Sequence, residues 1–348
     1  MTPAAVIAAI DSGTTNTRVR LLRDGQIIGG ASAQVGVVDT AKTGSNATLK
    51  RGIREAFEAA LRGAGASLAE VPYALGAGMV TSELGVIELP HLTAPVSLRD
   101  LAAGVARVEP AADFLPIPTY FIRGIKNRVE PGAGISALPR MDFMRGEEAQ
   151  VMGLLALHRP ALPTTIVILS SHTKFISVDA EGRIQGSVTT FSGQLFAAIC
   201  KETFVASAVR EASEEPEPAG YFDPGIVEEG WRIVTGGGLT RALLMTRFMQ
   251  VLMQTRWYER KLFLETLIAG EDLRSLRDIE GCGFSSRTPV WFVGAPERVA
   301  VYRHLIGWQG LFAGPVHAVS NPEAIERLGP VGAAEIFRER GAMGMDAS

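Results

Sequence analysis

Asp11 ends an apolar run, residues 4–10, and is followed at once by Ser12, Gly13, Thr14, Thr15 and Asn16. An acid at a strand end can order a magnesium ion through water. A Gly/Thr turn beside it can aim backbone N–H groups and hydroxyls at a phosphate chain. Arg18 opens the next strand, where period-two alternation points it either at those phosphates or out to solvent. The plainer reading of this stretch is a capped hairpin turn. A second group is Arg145-Gly146-Glu147-Glu148. A carboxylate there can orient or deprotonate a hydroxyl, although acids also favour helix starts through the macrodipole alone. Successive helical residues point about 100° apart, so one of the two faces a substrate, and Glu147 is favoured. The dipole is expected to hold its pKa low and keep it ionised. Arg145 suits either a bidentate fork on a substrate carboxylate or a structural salt bridge. A third group is Ser170-Ser171-His172, where an imidazole N–H can donate to phosphate or the ring can be structural. Gly294 ends one apolar strand before a helix, which suits close approach of adenine or ribose, or plain packing.

These residues need a scaffold, and the chain supplies one twice. The run ending in Asp11 is followed by a second apolar run, 19–22, then Asp24-Gly25, a two-residue hairpin signal, and a third strand. About 160 residues later, 166–169 reads as a strand ending in Ser170 and Ser171, followed by a strand at 174–178, a Gly-containing turn at 179–183 and another strand. Repetition at this distance predicts a duplicated domain with two hairpin turns facing one nucleotide. The nucleotide kinases and ATPases of the actin, sugar-kinase and Hsp70 superfamily are built in this way. The expected fold class is therefore α/β, with two similar ribonuclease H-like lobes around a nucleotide cleft.

Between these anchors, 48–61 reads as an amphipathic helix, with Leu49, Ile53, Phe57 and Leu61 on one face. Residues 71–75 and 114–122 read as strands, the second made irregular by Pro116 and Pro118, and 98–107 as a helix. A strong helix is expected over 147–157, and Pro160 and Pro163 mark the crossing between lobes. In the second half a helix is expected from about Leu195. The acidic stretch 211–224 should be a surface loop, 239–257 the longest helical stretch, 289–293 a strand and 297–305 a helix. The resulting division is 1–160 for the lobe with the first phosphate loop and sugar site, and 161–337 for the lobe with the second phosphate loop and adenosine site. Residues 338–348 are expected to form a disordered tail.

With 348 residues the chain suits two lobes of ordinary size, each with its own core. Net charge is −3 and no basic tract is present, which argues against a nucleic-acid partner. No apolar run approaches the ~20 residues that span a bilayer, and no signal peptide is read at the start. Cys200 and Cys282 lack metal-ligand spacing and read as buried reduced thiols of a cytoplasmic protein.

Several segments together resemble the 2-dehydro-3-deoxygalactonokinase family. They are IDSGTTNTR (10–18), GAGMVTSELGVIELPHL (76–92), FMRGEEAQVMGLLAL (143–157), LSSHTKFISVD (169–179) and TTFSGQL (189–195). The Arg-Gly-Glu-Glu block is the most specific of them. The resemblance implies an ATP- and magnesium-dependent kinase acting on the 6-hydroxyl of 2-dehydro-3-deoxy-D-galactonate or a related sugar acid. Asp11 would face the metal, Glu147, Glu148 and Arg145 would sit at the catalytic centre, and Gly78 and Met79 would lie on the sugar side. Gly13, Thr14, Thr15, Asn16, Arg18, Ser170, Ser171, His172 and Gly294 would line the nucleotide. A homodimer is compatible with this reading. The chain departs from the family pattern at Ser12, Ser170, Phe175 and Gln194, where Trp, Gly, Trp and an acid are usual. A phosphohydrolase resembling exopolyphosphatases and a catalytically weak sugar-acid sensor are the competing functions.

Overall fold

The computed structural model describes residues 5–276 and 283–345. The first lobe contains β1 (Ile7–Ser12), β2 (Thr17–Arg23), β3 (Gln26–Ala33), α1 (Val37–Thr43), α2 (Ala47–Ala64), β4 (Ala74–Gly78), β5 (Leu92–Thr93), α3 (Leu98–Ala103), β6 (Ala106–Val108), β7 (Thr119–Phe121), β8 (Ile125–Lys126), β9 (Phe143–Met144) and α4 (Glu147–His158). The second contains β10 (Thr164–Leu169), β11 (Thr173–Val178), β12 (Ile184–Thr190), α5 (Ser192–Glu202), α6 (Ala206–Val209), α7 (Pro224–Gly237), α8 (Leu239–Val251), α9 (Trp257–Ser275), β13 (Val290–Gly294), α10 (Pro296–Gln309) and β14 (Val316–Val319). The last helix, α11 (Pro322–Ala342), returns to pack on α4, α3 and β1 of the first lobe.

The two main sheets share one order over five strands, and the first adds β6 at its edge. In the first it is β3-β2-β1-β4-β7-β6, and in the second β12-β11-β10-β13-β14. In both, the loop-bearing strand pairs antiparallel with its successor and parallel with the strand on its other side. The Asp24-Gly25 turn has positive φ at both positions, 53° and 72°, which matches the twist of a two-residue hairpin.

Alternation along the loop-bearing strands decides what reaches the cleft. Ala8 and Ile10 pack outward with Val19, Ile53 and Phe57, while Ile7 and Ala9 meet Val331 of α11. Asp11 follows the inward set. In β10, Val167 and Leu169 pack outward with Phe175 and Phe292, while Ile166 and Ile168 join a cluster shared by both lobes with Leu75, Met152 and Leu328. The helices α4 and α11 meet backbone to backbone. A Cβ on Gly153 would lie 1.9 Å from Leu328 O, and one on Gly332 would lie 1.7 Å from Ala149 O. Any side chain at either glycine would force these helices apart.

Several boundaries differ from the sequence reading. The strand read at 71–75 lies at Ala74–Gly78, and that read at 114–122 is confined to Thr119–Phe121. The helix read at 98–107 stops at Ala103, and Ala106–Val108 is a strand. The stretch 239–257 breaks after Val251, and the longest helix among the described residues is α11. The tail expected to begin at Arg338 is helical through Ala342. Cys200 is a free, part-buried thiol whose pKa burial pushes up to about 11; Cys282 lies outside the described residues. No helix among the described residues is long and apolar enough to cross a membrane.

Candidate active site

A cleft of about 570 Å³ opens between the lobes, lined by Asp11, Arg18, Gly146, Ser170 and Gly294 among others. Four residues from the three separate sequence groups, and Gly294, thus converge on one cavity. Two glycines with positive φ meet beside Asp11, and Gly146 of the pair lines the cleft. Gly78, at φ 89°, ends β4; a Cβ there would lie 2.6 Å from Ser12 O and 3.2 Å from Asp11 Oδ1. Gly146, at φ 108°, leads into α4, and a Cβ there would lie 3.3 Å from Gly78 Cα and 3.9 Å from Asp11 Oδ1. Only residues without side chains let the α4 start approach the Asp11 carboxylate so closely.

Asp11 lies 3.5 Å from Arg18 Nη1, and water can reach it within the cleft. Desolvation by the surrounding protein pushes its pKa up, against the opposing pull of Arg18. The first loop is held by its backbone. Gly13 N–H donates to Asn16 O at 2.8 Å and Val38 N–H to Thr14 O at 3.0 Å, leaving Thr14, Thr15 and Asn16 exposed. Ser12 is different: it is fully buried and its hydroxyl bonds Thr17 at 3.0 Å, so this departure from the family pattern faces the core.

The two acids of α4 behave differently. Glu148 is fully buried, and both its oxygens accept from Gly146 N–H, at 2.9 and 2.8 Å. Burial and the neighbouring Glu147 charge push its pKa up to about 8. Its carboxylate is therefore turned back on its own helix start. Glu147 is part-exposed, with Oε1 4.0 Å from Lys174 Nζ. Burial pushes its pKa up too, opposed by Lys174 and reinforced by Asp11. This corrects the expectation of a low pKa: desolvation outweighs the helix dipole. Arg145 donates to Thr81 Oγ1 at 2.8 Å and to Leu89 O at 2.9 Å. It braces the 79–89 segment through hydrogen bonds, with no salt bridge of its own among the described residues. Neither Gly78 nor Met79 lines the cleft: Met79 packs against the first-lobe core, and Gly78 abuts Asp11 from behind.

In the second loop Ser170 and Ser171 are exposed, and Ser171 Oγ is 3.4 Å from His172 Nδ1. The loop is gripped from behind. Arg298 donates to Ser170 O at 3.0 Å and to Thr173 Oγ1 at 3.3 Å. Gln194 N–H donates to Ser171 O at 2.8 Å, a backbone contact indifferent to the family's usual acid there. Gly294 both lines the cleft and packs tightly, since a Cβ would lie 2.7 Å from Leu169 Cβ.

Sequence reasoning missed three residues. Lys174 is a buried cation at the site, Arg298 braces the second loop, and Asp272 lies beneath it. Asp272 accepts from Tyr302 Oη beside a linked set of hydroxyls, in which Ser192 Oγ donates to Thr173 Oγ1 at 2.6 Å and lies 3.0 Å from Thr190 Oγ1. The signal for Asp272 was available: it continues the four-residue spacing of buried Leu264 and Ile268 in α9, where a charge is out of place. Lys174 likewise is the one charged residue in a strand buried along its whole length.

Two duplicated lobes with hairpin loops facing a shared cleft define a protein of the actin-like ATPase and sugar-kinase fold. The family model described as 2-keto-3-deoxy-galactonokinase matches residues 11–324, and the chain belongs to this family. It is 27% identical over 326 residues to a curated relative from Rhizobium meliloti described as a probable 2-dehydro-3-deoxygalactonokinase, covering 93% of this chain and 95% of the relative. A solved Sinorhizobium meliloti structure described in similar terms superposes with a TM-score of 0.69 at 23% identity, over 95% of this chain and 99% of that one. The activator of 2-hydroxyisocaproyl-CoA dehydratase from Clostridium difficile, solved with bound ADPNP, shares the fold at a TM-score of 0.50 and 11% identity, over 98% and 97% of the two chains.

Proposed function

We propose that this sugar-kinase family member transfers the γ-phosphoryl group of ATP to the 6-hydroxyl of 2-dehydro-3-deoxy-D-galactonate. The observation that carries the reading is the contact of Gly78 and Gly146 over Asp11. It sets the Asp11 carboxylate beside the start of the helix that bears Glu147. Glu147 takes the proton of the acceptor hydroxyl, whose oxygen attacks the γ-phosphorus as the bond to the β–γ bridging oxygen breaks and ADP leaves. A carboxyl with a raised pKa is a stronger base once ionised, which suits this role. Exposed polar groups of Thr14, Thr15 and Asn16 face the phosphates from one lobe, on a turn that the Gly13 N–H closes by bonding Asn16 O. Ser170, Ser171 and His172 face them from the other, and Gly294 admits the adenosine.

No cluster of three metal-ligating side chains occurs among the described residues. A lone, water-accessible Asp11 fits a magnesium ion that keeps most of its waters and is held chiefly by phosphate. Bound magnesium would neutralise charge on the phosphate chain. A cytoplasmic reaction follows from ATP as donor.

The test is ADP release over a panel of 2-dehydro-3-deoxy sugar acids with ATP and magnesium, with NMR to locate the new phosphate ester. Turnover requiring the sugar acid, and an ester at C6, are expected. No turnover over the panel overturns the reading. Phosphate release without any sugar acid replaces it with the phosphohydrolase.

A further inference from the structure

We infer that Lys174, on the second lobe, positions the Glu147 carboxylate on the first, so that the acceptor-side base is set by the docked pair of lobes. The inference rests on the kinase reading above and on the place of Glu147 in it. Lys174 is buried, 4% exposed, and its ammonium has three donors to satisfy. Nζ donates to Phe143 O at 2.9 Å and to Thr189 Oγ1 at 2.7 Å, and its remaining side faces Glu147 Oε1 at 4.0 Å. The Thr189 hydroxyl donates in turn to Asp142 Oδ2 at 2.8 Å, and Ser187 Oγ donates to the same oxygen at 2.7 Å. The chain of donors therefore runs one way, from Lys174 through Thr189 to Asp142, and each bond polarises the next. Asp142, Phe143 and Glu147 belong to one short segment of the first lobe. Lys174, Ser187 and Thr189 belong to β11 and β12 of the second. The segment entering α4 is thus clamped from across the lobe boundary.

Strand register supports a role at the site. In the first lobe Ser12 pairs with Gly78 and Asp11 with Arg18. In the second Leu169 pairs with Gly294 and Ile168 with Lys174. Matching the terminal glycines makes Lys174 the counterpart of Arg18, which lies 3.5 Å from Asp11. The duplicated position carries a cation in both lobes, and each cation faces one of the two site acids. A buried ammonium is costly unless fully paired, which makes mere packing a poor account of it.

The test is a double-mutant cycle on the full-length protein with ATP, magnesium and the sugar acid. It uses Lys174→Met, Glu147→Gln and the pair, with Thr189→Val as a second way to loosen the ammonium. Melting temperature is read alongside. Lys174→Met should lower kcat about 10- to 100-fold, with the KM for ATP little changed. Thr189→Val should lower kcat less. In the Glu147→Gln background either change should cost less than about twofold, because the group through which it acts is gone. Losses that multiply in full with a slow Glu147→Gln overturn the inference and leave the kinase reading intact. Near-normal turnover of Glu147→Gln overturns the base assignment, and the inference with it. If Lys174→Met fails to fold, an unchanged kcat in Thr189→Val overturns the inference.

Discussion

The loops at 12–17 and 169–173 occupy the same place in two copies of one strand order, and they are equipped differently. The first is one residue longer and follows an acid; at the register position of Asp11 the second lobe has Ile168, buried between the lobes. The first loop is held by its own backbone and by the entry to α1. The second is held from behind by Arg298 and, through Thr173, Thr190 and Ser192, by the buried Asp272–Tyr302 pair. The shared strand order supplies two equivalent turns. One follows a carboxylate, and the other is a backbone turn resting on a polar network. The cations diverged too: Arg18 remains half-exposed beside Asp11, whereas Lys174 turned inward to the lobe junction.

This contrast is broken or upheld first at Asp11. Asp11→Asn keeps size and removes charge, so it should lower kcat by about 10³-fold and raise the magnesium needed for half-maximal rate. Titrating magnesium against rate in both proteins checks this. Unchanged magnesium dependence would mean that the first loop is also only a backbone turn.

The second expectation is smaller and falls on the other lobe. Asp272→Asn removes the charged acceptor of the Tyr302 hydroxyl and puts an amide against the linked Thr173, Thr190 and Ser192 hydroxyls, at about 1–3 kcal/mol for each group left unmet. The melting temperature should fall, and the KM for ATP should rise about tenfold as the second loop loosens. The KM for the sugar acid should stay near the wild-type value, since none of these hydroxyls belongs to the 78–92 or 142–148 segments. Equal loss for both substrates would show that Asp272 supports the fold as a whole and has no particular hold on the second loop.

The duplication was legible because strand, polar turn, strand and glycine turn repeat with their apolar alternation intact. What escaped was whatever depends on contacts distant in sequence. The helix Pro322–Ala342 contains Gly329 and Pro330, which ordinarily break a helix, and it is held by close packing on α4. The Ala-Leu-Gly-Ala-Gly strand has weak intrinsic propensity and exists because parallel pairing to β1 places Gly78 opposite Ser12. At the site, residue type and spacing pointed to Asp11 and to one of two glutamates. Which glutamate is free follows from Glu148 turning back to Gly146 N–H, a contact invisible in spacing. The sign of the Glu147 shift required burial as well as the dipole, and Lys174 required the second lobe.

The smallest effect is expected where the sequence placed a hydroxyl and an imidazole in the second loop. Ser171 and His172 meet each other only weakly, at 3.4 Å, and both side chains reach solvent. The contacts that shape this loop are accepted by backbone carbonyls, with Arg298, the Gln194 N–H and the Ser170 hydroxyl as donors, and none of them uses the Ser171 or His172 side chain. A cradle built from main chain should survive loss of its side chains. Ser171→Ala and His172→Ala should each change kcat/KM for ATP by less than about threefold, about 0.6 kcal/mol, since an exposed neutral hydrogen bond contributes little net. Steady-state kinetics at saturating sugar acid measure this directly. A loss of a hundredfold from either would place a side chain on the moving phosphoryl group. The two loops would then be chemical partners, and the division between an acid-bearing turn and a braced backbone turn would fail.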